Sequence, residues 1–287
     1  MLTIDIMGAK HAYAFTSPTA SDTVLVFIHG WLLSRSYWQP LIDILSPDYP
    51  CLSYDLRGFG DSQPSSVSEY GQRSLASYSL QSYAQDLVTL LKNLNISNAW
   101  LIGHSLGGSI ALWTADHLAE QVKGVICVNA GGGIYLKEEF ERFRSAGQQL
   151  IKLRPRWLCN LPLLDLLFTR ASVVQTLSRH WGRQRLVDFV TAHPEAALGA
   201  LLETTTEAEV HRLPQVVARL KQPAYFIAGE KDPIMEPRYV CHLASFHHLF
   251  QGCGANVVEI PDCGHLAMVE KPKVVAEHIR QILTQHP

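Results

Sequence analysis

Short apolar runs alternate with amphipathic stretches through the first half of the chain. TVLVFIHG is rich in β-branched residues and closes on glycine, which predicts a buried strand. YWQPLIDILSPD carries a helical period, and YPCLSYDLRGFG reads as a strand running into a turn. In SYSLQSYAQDLVTLLKNLN, Leu80, Tyr83, Leu87, Leu90, Leu91 and Leu94 recur at helical spacing. AWLIGHS is again a strand, LGGSIALWTADHLAEQ a helix and VKGVICVNAG a further strand. Such alternation predicts βαβ units and a mostly parallel sheet covered on both faces. The rhythm breaks after Gly133, and from there to about Lys221 the pattern is helical with no clear strand. It resumes with PAYFIAGEKD, a helix around Arg238 to Leu249, the strand NVVEIPDCGH and a last amphipathic helix, PKVVAEHIRQILTQ. The expected organisation is a discontinuous α/β core, residues 1–132 and 222–287, interrupted by a helical cap over 133–221. The serine-rich stretch from Ser62 to Ser82 reads as a surface loop leading into a helix.

Composition narrows the class without naming a function. With 287 residues, 47% hydrophobic and 17% charged, the chain is long and apolar enough for a large core. A net charge of −2 gives no electrostatic reason to expect a nucleic-acid partner. No run approaches the ~20 apolar residues of a membrane span. The opening MLTIDIMGAKHAYAF alternates like a strand and lacks a basic segment followed by an apolar core, so no signal peptide is expected. The six cysteines are scattered with no CxxC pair, which predicts reduced thiols and a cytoplasmic setting.

The candidate chemistry starts at Ser105, set between Gly103 and Gly107 at the junction of a predicted strand and helix. G-x-S-x-G in that context lifts a serine oxygen off the sheet on a tight turn, at a helix N-terminus suited to developing negative charge. A serine hydroxyl needs a base, and the base needs an orienting carboxylate. In this topology the order is serine, acid, histidine. Asp232 stands just past a predicted strand in FIAGEKDPI, and His265 follows another in IPDCGHLAMVEKP. Glu230 competes as the acid but is expected still within its strand; Asp262 reads as a turn residue. Acyl chemistry also needs oxyanion donors. The backbone N–H of Leu106 is one candidate and that of Trp31, after His29 and Gly30, the other; His29 itself reads as a structural loop residue. His242, His247 and His248 lie close together but have no acidic partner motif, and a solvated helix face is expected rather than a metal site.

These pieces together resemble the α/β-hydrolase superfamily, in its serine-nucleophile, esterase- and lipase-like branch with a helical cap. HGW, DLRGFGDS, GHSLGG, GEKDPI and CGHLAMVEKP appear in the family's order and cover the core from end to end. The resemblance implies an eight-stranded, mostly parallel sheet with the cap inserted after the sixth strand. It implies Ser105, Asp232 and His265 as a catalytic triad and the Trp31 and Leu106 N–H groups as the oxyanion hole. Asp55, Arg57, Gly58 and Gly60 match a loop that is structural in the family. Epoxide hydrolases and haloalkane dehalogenases carry aspartate where this chain has Ser105, so the serine favours esters, thioesters, amides or certain C–C bonds.

The cap is the remaining clue. Between Arg142 and Arg185 lie nine Lys/Arg and one acid, Asp165, around the apolar segment RPRWLCNLPLLDLLF. Three readings stand: a helix packed on the core with solvated or paired arginines, a lid that touches an anionic membrane surface and admits lipophilic substrate, or arginines that recognise an anionic substrate. The expected function is cleavage of a carboxylic ester with a sizeable apolar acyl or alcohol part, through an acyl-enzyme and without cofactor or metal. The alternatives are a C–C bond hydrolase or lyase using the same three residues, including one acting on a menaquinone-pathway intermediate, and a slow-turnover ligand sensor. Nothing in the sequence fixes the oligomeric state.

Overall fold

The computed structural model describes all residues except 18, 63, 65–76, 133–136, 251–253 and 287. Most of the expected serine-rich loop therefore lies outside the described residues. The elements run β1 (Leu2–Ile6), β2 (Ala9–Phe15), β3 (Val24–Ile28), α1 (Gln39–Leu45), β4 (Cys51–Tyr54), α2 (Leu80–Asn93), β5 (Ala99–His104), α3 (Leu106–His117) and β6 (Val122–Val128). The helices α4 (Lys137–Lys152), α5 (Leu164–Phe168), α6 (Arg179–Thr191), α7 (Pro194–Thr204) and α8 (Glu207–Arg219) follow. The chain closes with β7 (Ala224–Gly229), α9 (Pro237–Ala244), β8 (Val257–Ile260), α10 (Ala267–Glu270) and α11 (Pro272–Gln285). Short 3-10 turns at Arg35–Trp38 and Arg156–Asn160 precede α1 and α5.

The sheet has eight strands in the order β1-β2-β4-β3-β5-β6-β7-β8. β1 and β2 form an antiparallel hairpin, β2 pairs antiparallel with β4, and every later pairing is parallel. The amino-terminal alternation thus belongs to two strands. The turn between them is made by Met7 (φ 52°) and Gly8 (φ 81°), both in the left-handed region that two-residue hairpin turns demand.

Alternation of side chains builds two apolar layers. Val26, Ile28, Leu101, Val125 and Cys127 face one side, against Leu87 and Leu91 of α2, Ile110 of α3 and Leu213 of α8. Leu25, Phe27, Trp100, Ile102, Ile126 and Val128 face the other, against Leu41 of α1 and Ile279 of α11. Strands covered on both faces explain why their sequences read as near-continuous apolar runs.

The helix expected over Arg238 to Leu249 ends at Ala244. The next residues form tight turns: Phe246 N–H bonds to Leu243 O, and His247 N–H to Ala244 O. The three-histidine group is also corrected. His247 is buried, its Nε2 lies 3.0 Å from Gln222 O and its Nδ1 accepts the Leu249 N–H, while His242 and His248 are exposed. Burial pulls the His247 ring down to about 4, so it ties chain segments together as a neutral group. No helix among the described residues is long and apolar enough to cross a membrane.

Candidate active site

In a parallel sheet all carboxyl ends face one side, and reactive groups gather there. β5 ends at His104, and Ser105 follows as the N-cap of α3 with φ 51° and ψ −119°. Those angles are sparsely populated for any residue with a Cβ, and Ser105 is held there by its N–H bond to Val128 O at the end of β6. The flanking glycines answer a demand for space. A Cβ on Gly103 would lie 2.2 Å from Gly107 O, and one on Gly107 would lie 2.2 Å from Ile28 O. Strand, turn and helix therefore approach closer than any side chain allows.

Asp232 sits just beyond β7 and His265 just beyond β8, and the structure brings them together: His265 Nδ1 lies 2.8 Å from Asp232 Oδ2. Because the carboxylate only accepts, Nδ1 carries the proton that faces it, so in the neutral ring Nε2 is the nitrogen with the lone pair. Asp232 is almost fully buried, and its other oxygen accepts N–H bonds from Ile234 (2.8 Å) and Met235 (2.9 Å). Burial alone would push this carboxyl up. The charge and hydrogen bond of His265, with the two backbone N–H groups, outweigh it and hold Asp232 below the ordinary carboxylate range. Glu230 is exposed and accepts the Asp262 N–H at 2.9 Å, away from His265. Asp262 occupies a turn at φ 48° and pairs with Lys231.

Ser105 and His265 line one cavity of about 270 Å³, with Trp31 and Leu106 also in its wall. Leu106 is the first residue of α3, so its N–H has no partner within the helix. The Trp31 indole N–H donates to Ala197 O at 2.9 Å, which fixes the Trp31 loop against α7. Leu33, Phe143, Phe168, Phe189 and Met235 add apolar wall. Arg185 of α6 is the charged exception, its Nη1 donating to Phe168 O at 2.6 Å. His29 lies behind the site. Its Nδ1 is 2.8 Å from Gly30 O and its Nε2 accepts the Leu56 N–H at 2.9 Å, so a neutral ring protonated on Nδ1 satisfies both.

Three supporting residues were not evident in the sequence. Asn129, directly after β6, donates from Nδ2 to Asp232 Oδ2 (2.9 Å) and to Gly264 O (3.1 Å). His104 sets its Nε2 2.7 Å from His265 O, and burial with repulsion from His265 pulls its ring down to about 3, so Nε2–H is the donor. Glu270 spreads its carboxylate over the N–H groups of Gly264 (3.0 Å) and Val174 (2.8 Å), joining the His265 loop to the stretch before α6. The sequence signal for Asn129 is its place: a polar residue ending an apolar strand next to the one that delivers Ser105.

The five cysteines among the described residues are all free. Burial pushes the Cys51 and Cys263 thiols up to about 12, which leaves them inert packing groups.

A model of the alpha/beta hydrolase fold matches residues 23–272, and the chain belongs to that family. It is 29% identical over 260 residues to a 2-succinyl-6-hydroxy-2,4-cyclohexadiene-1-carboxylate synthase of Enterobacter sp. (strain 638), a match covering 90% of this chain and 91% of that protein. Among solved structures it is similar to a thermophilic esterase from Thermogutta terrifontis, with a TM-score of 0.76, 21% identity and all of both chains covered. It also resembles the enol-lactonase from Burkholderia xenovorans LB400, with a TM-score of 0.73 and 19% identity over 99% of this chain and all of that one. Membership makes the chain a hydrolase-fold enzyme; the bond it cleaves is a separate question.

Proposed function

We propose that the chain is a serine hydrolase that cleaves a carboxylic ester with a sizeable apolar part. The observation that carries this reading is the His265–Asp232 hydrogen bond at 2.8 Å on the wall of a largely apolar cavity into which Ser105 also faces. Ser105 Oγ attacks the ester carbonyl while His265 Nε2 takes its proton. The tetrahedral oxyanion is received by the N–H groups of Leu106 and Trp31. The imidazolium, stabilised by Asp232, then gives its proton to the departing alkoxide, leaving an acyl-enzyme. Water attacks that acyl group by the same proton route and frees Ser105. The helices α4 to α8 act as a cap whose Phe143, Phe168 and Phe189 give the acyl or alcohol part an apolar seat.

The test is hydrolysis of p-nitrophenyl esters from acetate to palmitate by the wild type and Ser105→Ala. Removing the nucleophile should lower kcat/KM on the order of 10³-fold or more, with medium or long acyl chains preferred. Equal rates for both proteins would refute the assignment.

A second reading is a lyase on the same residues, favoured by the 29% identity to the synthase across nine-tenths of both chains. Arg185, the cation in the cavity wall, suits a carboxylate-bearing substrate of the kind that synthase's name describes. Product analysis separates the two, since only an esterase releases an alcohol and a free acid.

A further inference from the structure

We propose that the stretch from Leu150 to Val174 is a docking surface for an anionic lipid bilayer. Among the described residues fourteen large apolar side chains are exposed, and eight of them fall in this stretch. A globular surface rarely gathers so much apolar area without a partner. On α5 the pattern is two-sided. Leu166 and Leu167 on the helix are 43% and 69% exposed, and Leu163, the residue before it, is 60% exposed. Asp165 turns inward to pair with Arg179 at 2.7 Å, and Phe168 reaches the cavity. Trp157, 58% exposed on the preceding 3-10 turn, adds an aromatic of the type that settles at headgroup depth.

Charge chooses the occupant. Of the nine Lys/Arg between 142 and 185, four donate to backbone carbonyls, Arg144, Arg154, Arg183 and Arg185, and Arg179 pairs with Asp165. Arg142, Lys152, Arg156 and Arg170 are exposed, and none has a carboxylate partner among the described residues. The single acid of the window, Asp165, is buried and already paired. An apolar stretch, Leu150 to Val174, with cations along it and no exposed carboxylate of its own, the exposed Glu138 and Glu141 lying earlier on α4, suits an anionic bilayer. A second copy of the chain would set those cations against their own kind.

The placement also bears on the proposed chemistry. Phe168 and Ser172, within the same stretch, line the cavity that holds Ser105, so a lipophilic ester leaving the bilayer enters beside its reaction site. Only this last step rests on the ester reading; docking itself does not.

The experiment is sedimentation of the full chain with vesicles of phosphatidylcholine alone, or of phosphatidylcholine with phosphatidylglycerol, at low and high salt. The expected result is binding to the anionic vesicles at least about tenfold tighter than to the neutral ones, weakened by salt. Leu163→Ser with Leu167→Ser, and separately Arg156→Gln with Arg170→Gln, should each weaken it about tenfold or more. Hydrolysis of a short soluble ester should be unchanged in both, since these side chains lie outside the cavity and are exposed. No binding to anionic vesicles overturns the proposal, as does full binding by the leucine variant. So does a wild-type dimer, seen by light scattering, that the leucine variant dissolves. Vesicle binding without ester hydrolysis leaves docking standing and removes the esterase reading; hydrolysis without binding does the reverse.

Discussion

An alanine at Gly107 has nowhere to put its methyl group. The added carbon would lie 2.2 Å from Ile28 O and 2.6 Å from His29 O, both backbone atoms that no rotamer change can move. An ordinary contact is about 3.5 Å, so the end of β3 and the start of α3 would have to part by roughly 1 Å. Alanine favours a helix over glycine by about 1 kcal/mol. Forced separation of packed backbone costs about 1–3 kcal/mol or more, and here it wins. The same shift displaces the Leu106 N–H and Ser105 relative to His265, and a 1 Å misplacement costs about 10²-fold in rate. Gly107→Ala is therefore expected to lose about 1–2 kcal/mol in urea unfolding and about 10²-fold in kcat on p-nitrophenyl butyrate. A variant with wild-type stability and rate would refute the close-approach reasoning.

Other outcomes follow from the buried carboxylates. Asp232→Asn should keep the fold and lose about 10⁴-fold in kcat, because the amide no longer fixes the His265 tautomer. Asp232 is held below its ordinary value, so its contribution to stability is present above about pH 4 and is lost as pH falls through the lowered folded value. The variant should flatten that acid limb in a pH series of unfolding midpoints. Asp188 of α6 behaves oppositely: burial raises it to about 7, with Ser34 Oγ (3.0 Å) and Gln184 Nε2 (3.0 Å) as donors. The folded state keeps a proton there that the unfolded chain releases near pH 4, so stability declines as pH rises from about 4 to 7. Asp188→Asn should remove that decline in thermal midpoints. Glu270→Ala leaves the buried N–H of Gly264 and that of Val174 without their acceptor, and should cost about 3 kcal/mol in urea unfolding.

The parallel core was legible because its signal is local. Val24–Ile28, Ala99–His104 and Ala224–Gly229 are apolar on both faces, and each is followed by a glycine or polar turn that carries candidate site residues. Ser105 and Asp232 stood out as candidates because each follows such a run, whereas His265 comes after the half-exposed β8 and stood out by its place after them in the chain. Asn129 could not be tied to Asp232, since its partner lies 103 positions along the chain. His247 misled for the same reason: its acceptor, Gln222 O, belongs to another segment, and nothing beside His247 announces the burial. The Met7–Gly8 turn escaped because the apolar alternation continues across it.

The conformation of Ser105 has a consequence for how this protein would respond to selection. At φ 51° and ψ −119° a side chain costs of order 1–3 kcal/mol, and glycine relieves much of that strain. Ser105→Gly should therefore melt at a higher temperature than the wild type while lacking the proposed nucleophile. A laboratory evolution campaign scored on heat resistance alone would enrich inactive clones at this codon, and only a screen that also demands turnover would retain the serine.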